Sequence, residues 1–128
     1  MKFDLSRFKT IEPIKGSPSI SITKNGVTFS KASIQKLGKP AFIEMMIDEE
    51  DKVLAIMSRQ EDDENFFSFM APGRSVLSVR IGNRDLKNQL SSLMDWDLEN
   101  SNGFRIDGEF DKDSIGLFFD LKEAHPIP

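Results

Sequence analysis

From Ser19 onward hydrophobic and polar residues alternate, and the alternation breaks where a chain has to turn. Ile20 and Ile22 stand two apart, Asn25-Gly26 follows, and Val27 and Phe29 resume the same spacing. Two short alternating runs joined by Asn-Gly specify a β-hairpin, because a type I′ turn needs positive φ at both central residues and Asn and Gly accept it. Ser30 predicts the N-cap of a short helix through Lys36, with Ala32, Ile34 and Leu37 inward and Gly38 as the stop before Pro40. Phe42 to Ile47 and Val53 to Met57 are apolar runs on either side of Asp48-Glu49-Glu50-Asp51-Lys52, a second hairpin around a solvated turn. Strands so continuously apolar predict that both of their faces are covered, as in a closed barrel or a sandwich.

The same order then returns. Phe66 to Met70, a turn at Ala71 to Arg74 and Val76 to Ile81 repeat the first hairpin. Gly82 or Asn83 caps a longer helix in which Leu86, Leu90, Leu93 and Met94 form one apolar stripe. Phe104, Ile106 and Phe110 share one face of a strand whose other face carries Arg105, Asp107 and Glu109, and Asp111 to Ser114 turns the chain into Ile115 to Leu121. Laid over the first unit, Phe42 meets Phe104, Ile43 meets Ile106, and Val53-Leu54-Ala55-Ile56 meets Ile115-Gly116-Leu117-Phe118.

The expected fold is mainly β with short helices (α+β): one domain, 1–128, in which a ββαββ unit at 19–58 and its copy at 66–121 form a single barrel-like pseudo-dimer. Residues 59–65 are an acidic linker and 122–128 a C-terminal tail. Pro13 and Pro18 deny residues 1–18 a long helix, so an arm or edge strand packed on the domain is expected there.

Composition narrows the chemistry. Phe occurs 11 times against one Trp and no Tyr, and rings without a polar handle belong in a core. Trp96, just after the apolar helix, is expected to close that core rather than to anchor a partner. The absence of Cys removes disulfides, thiolate nucleophiles and Cys metal sites, and points to a reducing, cytoplasmic setting. No run of about 18 apolar residues predicts a membrane span, and the charged N-terminus is unlike a signal peptide. His125 is the only His, no Ser sits in a nucleophile elbow and no Gly-rich loop cradles phosphate, so neither enzyme nor cofactor is expected. Glu61-Asp62-Asp63-Glu64 lacks the alternating ligands and Gly of a calcium loop and is taken as solvated, which leaves no expected metal site.

Charge is distributed unevenly. The net charge is −4, yet residues 1–40 hold eight Lys and Arg against two acids, +6, and the remainder holds nine against 19, −10. Lys24, Lys31 and Lys36 lie in the first hairpin and helix of unit one, and Arg74, Arg80, Arg84 and Lys87 in those of unit two, whereas the acids gather in the second hairpins. A pseudo-twofold that superposes the units would place the seven cations on one face, able to grip phosphates.

Val27-Thr28-Phe29-Ser30-Lys31-Ala32-Ser33-Ile34-Gln35-Lys36-Leu37-Gly38, followed by an acidic-turned hairpin, resembles the AbrB/MazE swapped-hairpin family of transcription factors and antitoxins. In that family two short chains interleave into one barrel and bind DNA through basic residues, so the resemblance implies a fused pseudo-dimer, of which a double-psi β-barrel is one form. Ser30 stands where the family usually has Pro, and Lys31 and Lys24 are the positions onto which a basic contact transfers. The expected function is a non-enzymatic, AbrB-like regulator or antitoxin-type domain binding duplex DNA, as a monomer or homodimer. One alternative is an inhibitor or DNA-mimic module offering its acidic hairpins to a basic protein partner. Another is a small enzyme with Asp/Glu chemistry, for which Asp107 and Glu109 are the paired carboxylates.

Overall fold

Every strand of the computed structural model, which describes residues 4–9, 17–70 and 78–128, pairs antiparallel with its neighbours. The elements run β1 (Ser19–Thr23), β2 (Gly26–Phe29), α1 (Lys31–Lys36), β3 (Phe42–Asp48), β4 (Val53–Arg59), β5 (Phe67–Ser68), β6 (Val79–Ile81), α2 (Arg84–Met94), β7 (Phe104–Asp107), β8 (Glu109–Asp111), β9 (Gly116–Asp120) and β10 (His125–Pro126). They form two five-stranded sheets, β10-β7-β1-β2-β6 and β5-β3-β4-β9-β8.

Alternation decides which face each sheet buries. In the first, Ile20 lies across from Phe29 and Ile106, and Ile22 across from Val27 and Phe104. In the second, Leu54 lies across from Ile47 and Phe119, and Ile56 across from Met45 and Leu117. Both inner sets join one core, in which Phe29 meets Phe69 edge-on with ring centroids 5.0 Å apart. Removing those side chains from water supplies the drive that holds the sheets face to face.

Gly108 is the corner between the sheets. It separates β7, in the first sheet, from β8, in the second, and its N–H donates to the Pro18 carbonyl at 2.8 Å. A Cβ there would lie 2.5 Å from the Phe119 ring, so the chain can cross at this point only without a side chain.

The helices are fixed by their caps. Ser30 Oγ accepts from the Ser33 N–H at 3.2 Å and from the Ser19 N–H at 3.1 Å, while the buried Ser33 hydroxyl donates to the Ser19 carbonyl at 2.8 Å. One serine pair thus ties the start of α1 to the start of β1. Asn83 caps α2, whose Leu90 is buried, and Asp95 ends it in the left-handed region at φ 56°. Trp96 then stacks on Phe104, 4.3 Å between centroids, closing this end of the core as its position after the helix suggests.

Several expectations are corrected. β5 and β6 do not pair with each other: β5 joins β3 and β6 joins β2, in different sheets, so the second unit does not begin with a hairpin like that of β1 and β2. The strand read from Phe66 to Met70 is only Phe67–Ser68. Phe118 points outward while Leu117 and Phe119 point inward across from Ile56 and Leu54, so the buried Ile56 does not correspond to Phe118 as the sequence alignment has it. A slip of one exchanges the two faces of a strand. The C-terminal segment is not a loose tail, because β10 pairs with β7. Of the N-terminal arm, the described residues hold a 3-10 turn at Leu5–Arg7 with Leu5 and Phe8 exposed, not a packed edge strand. The outer face of β3 and β4 is also open, leaving Met46 41% exposed. No helix among the described residues is long and apolar enough to cross a membrane.

Two stability measurements check this register. Phe119→Ala should cost about 3–5 kcal/mol in urea unfolding and Phe118→Ala about 0.5 kcal/mol; comparable costs would mean that β9 is turned over. Ile115 is a half-exposed β-branched residue at φ 52°, so Ile115→Gly should stabilise by about 1 kcal/mol, where a loss would contradict the strained turn.

Candidate nucleic-acid interface

The β2–β6 ladder brings together two turns remote in sequence. Val27 lies across from Ile81, so the turn before β2, Lys24-Asn25, abuts the junction after β6, Gly82-Asn83. Their contact depends on Gly26 at φ 122°, where a Cβ would strike the Ile81 carbonyl oxygen; a Cβ on Gly82 would lie 3.4 Å from the Asn25 carbonyl. Between the turns and the first turn of α2 is a concavity of about 210 Å³ lined by Lys24, Asn25, Gly26, Gly82, Asn83, Arg84 and Lys87.

Its electrostatics follow from the same residues. Asn83 takes the Leu86 N–H on its side chain at 2.9 Å and the Lys87 N–H on its carbonyl at 3.0 Å, which leaves the Arg84 and Asp85 amides at the positive end of an 11-residue helix. Lys24 and Arg84 are exposed and make no ion pair among the described residues. Lys87 is paired with Glu99 at 3.1 Å, but its side chain is the more buried of the two, 18% against 68% exposed. Asp85 in the first helical turn is the opposing charge nearest in sequence. Three cations, two of them unpaired, therefore converge with a helix N-terminus at one small recess.

A second basic feature lies on the outer face of the same sheet. Register places Arg80, Thr28, Ser21, Arg105 and His125 side by side across all five strands. At about 4.8 Å per strand this polar row spans about 19 Å. Arg105 lies 3.5 Å from Asp107, which partly offsets its charge.

The seven cations expected on one face are thus divided. Lys24, Arg84 and Lys87 meet, and Arg80 is on the strand that leads into their recess. Lys31 opens α1 at the far end of β2, four strand residues away from Lys24. Lys36 is drawn to the other sheet, its ammonium 5.8 Å from the centre of the Phe110 ring. Arg74 lies outside the described residues. Sequence reasoning missed Arg105 and Asn83 as parts of this surface. Alternation put Arg105 on the wet side of its strand, but only the pairing of β7 with β1 aligns it with Arg80.

Carboxylates line a different concavity, about 380 Å³, where β7 bends into β8: Asp107, Glu109, Asp120 and Glu123 stand around Val53 and Phe118. Lys122 donates to Asp120 at 2.9 Å and holds its carboxyl below the usual carboxylate range. That shift is opposite to the one a general acid requires.

Compared with protein-family models, curated proteins and solved structures, the chain matches none of them. The geometry of the recess is open to a direct check. Asn83→Ala should destabilise the protein by about 1 kcal/mol and fray the first turn of α2 in hydrogen exchange, whereas Asn83→Gly should cost a few tenths. Equal losses would show that the Asn83 side chain does not hold the recess in shape.

Proposed function

We propose that the chain is a nucleic-acid-binding regulator that seats a phosphate of duplex DNA between Lys24, Arg84 and Lys87 and lays the neighbouring backbone along the Arg80 to Arg105 row. The convergence of those three cations on the N-terminus of α2 carries the proposal. Backbone amides, a helix dipole and cationic side chains directed at one recess favour an anion, and phosphate contacts need no sequence readout.

The AbrB-like, duplicated architecture belongs to the same proposal. A shift of 63 residues carries Ile43, Ile47, Leu54 and Ile56 onto Ile106, Phe110, Leu117 and Phe119, inward residue onto inward residue. It also carries Asp48 onto Asp111, each accepting from the amide two residues later, at 3.1 and 3.2 Å. Lys52 falls on Ile115, and their φ angles are 57° and 52°. Positive φ is uncommon for such residues, so its recurrence at one hairpin position supports common descent of the two hairpins.

Strand pairing supports it as well. With β7 and β8 counted as one bent strand, exchange of the units turns β1·β7 into β5·β3 and β3·β4 into β8·β9, and returns β2·β6 and β4·β9 to themselves. Each unit lends its first strand to the other's second hairpin, the interleaving that the family resemblance implies. The exchange fails at β1·β2, since β5 and β6 are unpaired with each other.

Fluorescence anisotropy with a random duplex of about 20 base pairs tests the function. Above about 0.1 M salt, binding should weaken log-linearly as salt rises, by about 0.9 in slope for each phosphate contacted. Lys24→Glu with Arg84→Glu should reduce affinity at least tenfold and lower that slope, while Lys36→Glu should change little. Absence of binding at low salt, or an unaltered affinity in the double variant, would rule the proposal out.

A further inference from the structure

The outer face of an antiparallel sheet that looks onto water should be polar, and the β5-β3-β4-β9-β8 sheet departs from that. Met46, Ala55 and Phe118 lie across from one another on β3, β4 and β9, with Val53 and Met57 two places on either side of Ala55. Met46 is 41% and Phe118 36% exposed. Carboxylates flank this strip: Asp48 and Asp120 both lie across from Val53, and Glu109 lies across from Phe118. At the β7–β8 bend, Val53 and Phe118 become part of the 380 Å³ concavity that Asp107, Glu109, Asp120 and Glu123 also line. Lys122 engages Asp120 and Arg105 lies near Asp107, but Glu109 and Glu123 make no ion pair among the described residues.

We infer that this face docks an arginine- or lysine-rich segment of a partner protein that also carries apolar side chains. The chemistry selects such a segment. The hydrocarbon stem of Arg or Lys can cover Val53 and Phe118 while its charged end reaches Glu109 and Glu123, and a guanidinium over the Phe118 ring gains a cation–π contact. Apolar neighbours in the segment then cover Ala55, Met57 and Met46. An anionic partner meets four carboxylates, and a neutral apolar one would desolvate them without pairing them. The carboxylates do not form a metal site, since no group of three or more among the described residues is close enough to share an ion. The strip is only a few side chains wide, which suits a weak, fast-exchanging contact rather than a permanent interface. This docking face is on the opposite sheet from the basic recess and does not rest on the nucleic-acid proposal.

A nuclear magnetic resonance titration of the full chain tests it, with a peptide of about ten alternating arginines and leucines as probe and its glutamate–leucine counterpart as control. Saturable shifts are expected on β4 and β9 and at the Met46 methyl, with affinity reduced at least tenfold by Phe118→Ser and by Glu109→Lys with Glu123→Lys. The charge-reversal pair decides the outcome should Phe118→Ser not fold. Three results would overturn the inference: no saturable shift, equal binding of the glutamate peptide, or shifts confined to β1, β2 and β6. Concentration-dependent dimerisation that Phe118→Ser abolishes would overturn it too, by assigning the face to a second copy of this chain.

Discussion

Leu54 faces Phe119 and Ile56 faces Leu117 across the β4·β9 ladder, with all four side chains shut away from water. This ladder joins the β3–β4 hairpin to the β8–β9 hairpin, and its register cannot drift. A slip of one residue would expose Leu117 and Phe119 and turn Gly116, Phe118 and Asp120 inward, leaving the core short of a side chain at one position and burying a carboxylate at another. Once the ladder is fixed, Gly108 has to pass beneath the Phe119 ring, which sets the point at which β7 leaves the first sheet. That in turn positions Ile106 beside Ile20 and aligns β1, β2 and β6 in their order. The basic recess on the far side of the molecule thus inherits its geometry from a core that contains none of its residues.

Local chemistry made half of this legible from sequence. Asn25-Gly26 marked a hairpin, but Thr23 pairs with Gly26, so the turn residues are Lys24 and Asn25 and only Gly26 takes positive φ, which is not the type I′ turn expected; Ser30 and Asn83 marked helix caps, and Asp48 to Lys52 and Asp111 to Ser114 the other turns. Such signals act over three or four residues and carry their own physics. What remained hidden was which strand pairs with which. Phe67 and Val79 flank one turn signal, Ala71 to Arg74, which lies outside the described residues, yet they pair with Ile43 and Phe29, because long-range ladders are chosen by the whole core rather than by a local signal. The facing of β9 stayed hidden for the same reason, since Phe118 and Phe119 are the same residue type and no short-range pattern tells which of them points inward.

The candidate site followed the same division. Three of the seven cations converge, because β2 and β6 pair and Gly26 lets their turns touch. Lys36 parts from them because the last turn of α1 points at Phe110. Apolar runs in β3 and β4 implied two covered faces, and the structure covers one, so the outward half of that pattern is surplus to folding.

The acidic strip and the basic recess belong to opposite sheets. Stacked sheets lie about 10 Å from one another and the outward side chains add to that, whereas the Debye length is about 8 Å at 0.15 M salt. At such ionic strength the acids around Phe118 are largely screened from the recess formed by Lys24, Arg84 and Lys87, and a net charge of −4 does not prevent local attraction of phosphate. At about 0.01 M the screening length reaches about 30 Å, well beyond the spacing of two stacked sheets, and the acidic face then opposes the basic one. The salt dependence of anion binding should therefore flatten at the dilute end instead of rising without limit, a curvature that distinguishes a dipolar protein from a uniformly basic one.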